Sequence, residues 1–95
     1  MRLSTLEINN LLQSVSHLDP DAKLYLFGSR TRDDVKGGDI DIALLTDKLS
    51  LKDKVEIKYN FFKEFGEQKI DIVLIKNPEH AFWKVIKNQS ILLSK

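Results

Sequence analysis

Two runs of strand length do most to restrict how this chain can fold: IDIALL at 40–45 and IDIVLI at 70–75, each apolar except for one aspartate in its second position. Apolar runs of this length belong to strands covered on both faces, and aspartate is among the residues that strands accept least. A fold that buries both runs must therefore find a use for Asp41 and Asp71. Between the runs, Ser50 can cap a helix over residues 51–65, LKDKVEIKYNFFKEF, with Gly66 at its end. A crossover helix makes the flanking strands parallel, so the two acids come to the same end of one sheet.

The remaining elements follow from spacing. Ser4 and Glu7 are placed as a capping box, and Leu11, Leu12, Val15 and Leu18 carry an apolar stripe until Asp19 and Pro20 stop the helix. KLYLF, 23–27, reads as a strand ending at Gly28, with a turn or short helix from Ser29 to about Asp34 and the flexible pair Gly37 and Gly38 beyond it. The second and third strands are expected over 39–46 and 69–75. In the 51–65 helix, Leu51, Val55, Phe62 and Phe65 should face the core, with Ile57, Tyr59 or Phe61 alongside. Asn77 and Pro78 should start a last helix that turns Ala81, Phe82, Val85 and Ile86 inward and leaves Trp83 at an edge. The final SILLSK is a closing strand or a tail. The expected fold class is α/β (α+β): a small mixed β-sheet flanked by helices in a single domain, 1–95.

Composition narrows the function. Ninety-five residues, 42% of them hydrophobic, make one small core that cannot enclose a large substrate, so a partner is expected to complete the site. Fifteen basic residues against fourteen acidic leave no global field that would single out nucleic acid or an acidic membrane surface. The absence of cysteine excludes disulfides and thiolate metal sites and suits a cytoplasmic protein. No segment approaches the roughly 20 apolar residues of a membrane span. Dimerisation is left open, with Phe82 and Trp83 as interface or core residues.

The acids carry the chemistry. Asp39 and Asp41 are two apart at the start of the second strand and so share a face, and Asp71 stands alone in the third. Two carboxylates 5 to 6 Å apart repel by roughly 3 kcal/mol at an effective dielectric near 20, a term that a cation reverses. Oxygen-only donors suit Mg2+ or Mn2+ rather than zinc, and Mg2+ bound by few carboxylates leaves positions for substrate phosphates. LFGSR, 26–30, supplies the other half of a phosphate site: Gly28 lets the backbone approach an anion, Ser29 offers a hydroxyl, and Arg30 and Arg32 add positive charge. If the first two strands pair antiparallel, Gly28 and Ser29 lie beside Asp39 and Asp41. The remaining aspartates, 19, 21, 33, 34, 47 and 53, are read as turn, cap or surface residues, and His17 and His80 as surface or helix-end residues.

Taken together, the strand, Gly-Ser-Arg, the short loop, Asp-x-Asp and the lone aspartate one strand later resemble the nucleotidyltransferases of the DNA polymerase beta superfamily over residues 24–75. The small size is similar to the minimal nucleotidyltransferase (MNT) branch. The resemblance implies a polymerase-beta-like core in which Asp39, Asp41 and Asp71 are catalytic and hold two Mg2+ ions, while Gly28, Ser29 and Arg30 bind the triphosphate. It further implies transfer of AMP from ATP to a hydroxyl, expected to be a tyrosine, of a helical HEPN toxin that the protein silences as an antitoxin. An antitoxin that merely occludes its partner is the alternative. Nine residues separate Ser29 from Asp39, where many relatives have ten, and RTRDDVKGG lacks the glycine often found soon after the arginine.

Overall fold

The computed structural model describes residues 1–34 and 36–93. Helix α1 (Thr5–Leu18) opens with the expected capping box: Glu7 N–H donates to Ser4 Oγ at 3.1 Å and Ser4 N–H to Glu7 Oε1 at 2.9 Å. It leads into β1 (Lys23–Phe27), a single 3-10 turn (Gly28–Thr31), β2 (Ile40–Leu45), α2 (Leu51–Phe65), β3 (Ile70–Ile75), α3 (Ala81–Ile86) and β4 (Ile91–Leu92). The four strands form one mixed sheet in the order β3-β2-β1-β4. β1 pairs antiparallel with β2 and β4, and β2 pairs parallel with β3 across the α2 crossover. Among the described residues, no helix is long and apolar enough to cross a membrane.

The sheet is covered on both faces, which is why its strands read as almost wholly apolar. Leu24, Leu26, Ile40, Ile42, Leu44, Ile70 and Ile72 pack on one side with Leu11 and Val15 of α1 and Ile57 and Phe61 of α2. Ala43 and Ile75 meet Trp83 and Ile86 of α3 on the other. α1 and α2 are also tied through polar groups: Asn60 Nδ2 donates to Ser14 Oγ at 3.1 Å, and Asn10 Nδ2 to Asn60 O at 3.2 Å and to Glu64 Oε1 at 2.7 Å.

Several expectations are corrected. In α2 the inward stripe is Ile57 and Phe61, with Phe62 and Phe65 half-buried, whereas Leu51, Val55 and Tyr59 are 72%, 63% and 62% exposed. Leu51, Val55 and Tyr59 form one i, i+4 row and Ile57, Phe61 and Phe65 another beside it, and it is the second that meets the sheet. α3 begins at Ala81 rather than at Pro78, because Asn77 forms a local turn instead, its Oδ1 accepting from Glu79 N–H at 2.9 Å and its carbonyl from His80 N–H at 3.1 Å. Its phase differs as well: Trp83 and Ile86 are buried, while Ala81, Phe82 and Val85 face out. Five of its six residues are apolar, so periodicity could not choose a face.

Asp19 is the C-cap of α1, its N–H donating to Val15 O at 2.8 Å, but it does not lie on the surface. It is 2% exposed, and Thr46 Oγ1 donates to its Oδ2 at 2.6 Å. That hydrogen bond holds the Asp19 carboxyl below its ordinary value against the opposing effect of burial, helped by Asp21 N–H and Lys48. His17 sits exposed in the last turn of α1, and His80 caps α3 by accepting from Phe82 N–H at 3.2 Å. The closing strand is limited to Ile91–Leu92, anchored further by Leu93 N–H to Leu24 O at 2.8 Å; residues 94 and 95 of the expected terminal segment lie outside the described residues.

Candidate active site

Strand register builds the site. In the antiparallel ladder Phe27 stands opposite Asp41, and in the parallel ladder Asp41 stands opposite Asp71. Residues directly opposite one another project to the same face, so Phe27, Asp41 and Asp71 form one row across three strands. It is the face covered further along by α3. Asp41 is half-buried in the middle of the row and Asp71 exposed on β3, which ends the sheet order on that side.

The chain then closes over Asp41 at Gly28. Gly28 has φ +75°, and a β-carbon on it would collide with Asp41 Oδ2, so only glycine allows the loop backbone to lie against the carboxylate. Gly38, φ +90°, stands in the same relation to the Ser29 hydroxyl. Thr31 Oγ1 donates to Gly28 O at 2.7 Å and tightens the turn. The structure thus brings Gly28, Ser29 and Asp41 together, as the antiparallel pairing of β1 and β2 requires.

Two arginines hold this loop in shape. Arg30 Nε donates to Gly38 O at 3.2 Å and its Nη1 to Arg2 O at 2.9 Å. Arg2 donates from Nη2 to Ser29 O at 3.0 Å, from Nη1 to Gly37 O at 2.7 Å and from Nε to Arg32 O at 2.7 Å, while its backbone N–H reaches Arg30 O at 2.7 Å. Arg30 therefore braces backbone carbonyls beside the positive charge it brings. Arg32 is paired with Asp34 at 2.8 Å on the exposed side of the loop. Next to the loop a cleft of about 700 Å³ opens between Gly28, Ser29, Thr31 and Lys36 on one side and Gln89 and Ile91 on the other.

The electrostatics centre on Asp41. Burial pushes its carboxyl above the ordinary value, the charges of Asp71 and then Asp39 push it further, and Lys69 opposes them. Asp39 leans toward Lys69, with Nζ 3.4 Å from its Oδ2. As the side chains stand, no three carboxylate or imidazole groups among the described residues are close enough together to hold a metal, so the full convergence of Asp39, Asp41 and Asp71 expected from the sequence is not present. Like charges separate where a lysine offers one of them a partner. The donor chemistry nonetheless suits a hard divalent ion: every group is a carboxylate, and Asp41 is destabilised as an anion by burial first and then by Asp71 and Asp39.

Sequence reasoning missed Arg2 and Lys69. Nothing in the N-terminal pattern marks Arg2, whose partners lie some thirty residues along the chain. Lys69 was within reach, because the register that sets Ile40 beside Ile70 also brings the residues just before them together. Residues 8–92 match the family model described as a nucleotidyltransferase domain. No curated protein matches the chain.

Proposed function

Since this chain belongs to the nucleotidyltransferase domain family, we propose that it transfers AMP from ATP, with Mg2+, to a tyrosine hydroxyl of a helical HEPN-type toxin and so acts as its antitoxin. The observation that carries the reading is the row itself: Asp41 in register with Asp71, and Gly28 closed down on Asp41. Carboxylates on two adjacent parallel strands beside a glycine-serine loop are what a metal-bound triphosphate needs.

In this reading Asp39, Asp41 and Asp71 hold Mg2+, two ions in all, with Mn2+ able to substitute. When bound, the ions neutralise charge on the attacking and leaving oxygens of an in-line displacement. The chain's own residues position the reactants. Gly28 and Ser29 present backbone N–H groups and a hydroxyl to the triphosphate tail, Arg30 adds charge at the departing end, and the neighbouring cleft gives the tail room. Asp71, exposed on its edge strand, lies where an acceptor hydroxyl can arrive. The acceptor oxygen bonds to the α-phosphorus, the bond from that phosphorus to the bridging oxygen breaks, pyrophosphate leaves, and the hydroxyl proton is released. The open Asp71 side and the small size of the domain support a partner protein as acceptor. ATP, the toxin and a cytoplasmic location belong to this reading, and the toxin rests on the resemblance to MNT proteins.

The experiment is incubation with α-labelled ATP, Mg2+ and the candidate helical partner. Wild type should label the partner, and Asp39→Asn with Asp41→Asn should reduce labelling by at least 100-fold, the order expected when groups that position a transition state are lost. Equal labelling by the double variant would refute the assignment. The Asp39–Lys69 pair favours a second reading, occlusion without catalysis. On that reading the double variant still neutralises the partner with no nucleotide present.

A further inference from the structure

We propose that Phe27 and Phe82 form a seat for the nucleobase of the bound triphosphate, a site for a purine or pyrimidine ring on the α3 face beside Asp41. The proposal rests on the nucleotidyltransferase reading and adds where the base goes. Phe27 directly precedes Gly28 and stands opposite Asp41 in the ladder. Its half-buried ring meets that of Phe82 edge-on, centroids 5.7 Å apart at 75°, an arrangement aromatic pairs prefer, and the exposed ring surface is that of Phe82. Phe82 is 38% exposed although its neighbour Trp83 is buried against Tyr25, with centroids 4.7 Å apart. The core of this face is therefore filled by Trp83 and does not need Phe82. Val85, on the same side of the short helix as Phe82, is 70% exposed and extends the apolar surface.

The directions around Asp41 leave this surface to the base. The phosphate tail runs toward the Gly28–Ser29 loop, and an acceptor enters over Asp71 at the open β3 edge. With strands about 4.8 Å apart, Phe27 lies about 10 Å across the row from Asp71, on the opposite side from the incoming hydroxyl. What remains next to Asp41 on the same face is the Phe27–Phe82 surface, and a base stacked on aromatic rings is held with little dependence on its hydrogen-bonding edge.

Calorimetric titration of wild type, Phe82→Ala and Phe82→Tyr with Mg2+–ATP and with Mg2+–tripolyphosphate tests the assignment. Tripolyphosphate carries the phosphate tail without a base. Phe82→Ala should weaken ATP roughly tenfold, the size of one lost base–aromatic stack, leave tripolyphosphate unchanged, and retain the wild-type circular dichroism spectrum. Phe82→Tyr should keep wild-type ATP affinity. Unchanged ATP affinity in Phe82→Ala, including the case in which only the KM for the acceptor rises, overturns the base seat while leaving the nucleotidyltransferase reading in place. An equal loss for both ligands also overturns it, by assigning Phe82 a general structural role. Failure of the wild type to bind either ligand overturns both readings together.

Discussion

Asp41 is where folding and chemistry pull in opposite directions. Its carboxyl is half-buried, faces Asp71 across the ladder, and has Gly28 backbone against its oxygen. Its raised pKa means that the folded state holds the proton more tightly than the unfolded state does. Stability contributed by that proton is present at low pH and is lost as pH rises through the folded value. Asp41→Asn removes this loss. The variant should therefore melt higher than wild type at pH 7, with the difference shrinking as pH falls into the ordinary carboxylate range, and differential scanning calorimetry across pH 3 to 7 reads it. A variant that melts lower than wild type at pH 7 would mean that the carboxylate stabilises the fold. That Asp41 and Asp71 become neighbours was legible from the repeated IDI and the crossover between the runs. The Lys69–Asp39 pair was not read, although the same register contains it.

Among the elements, α2 separates what a pattern states from what it leaves open. Its length and both ends follow from Ser50, which forms a capping box with Asp53, and from Gly66, which closes the helix at φ +83°. Its two apolar stripes could not be ranked from spacing. The structure assigns burial to Ile57 and Phe61 and exposure to Leu51, Val55 and Tyr59, so two similar substitutions should differ sharply. Ile57→Ala should cost about 2 to 5 kcal/mol through the cavity it leaves, and Val55→Ala should stay within about 0.5 kcal/mol. Urea denaturation of both variants measures the contrast, and comparable losses would contradict the phase of the helix. α3 has the same ambiguity in six residues, with the consequence that Phe82 stands beside the site rather than in the core.

At the scale of the molecule, the candidate site lies at one end of the sheet, on the face that α3 covers further along. Anything that binds there only in the folded state should stabilise the fold: at a hundredfold excess over Kd the gain is about 2.7 kcal/mol, roughly 10 to 20 °C in Tm for a chain of this size. Mg2+ and ATP together should produce that shift and neither alone should match it, as measured by thermal denaturation; no shift at millimolar concentrations would count against the nucleotide reading. The order of elements, the parallel pairing of the two IDI strands and the meeting of the Gly-Ser loop with the Asp-x-Asp strand could be read along the chain, because alternation, helical period and crossover handedness are local rules that hold whatever the partners are. The face that α2 and α3 turn inward, the burial of Asp19 against Thr46, the grip of Arg2 on the loop and the leaning of Asp39 toward Lys69 emerged from the folded arrangement. Each depends on which of several acceptable neighbours, far away in sequence, reaches a residue first in volume or charge.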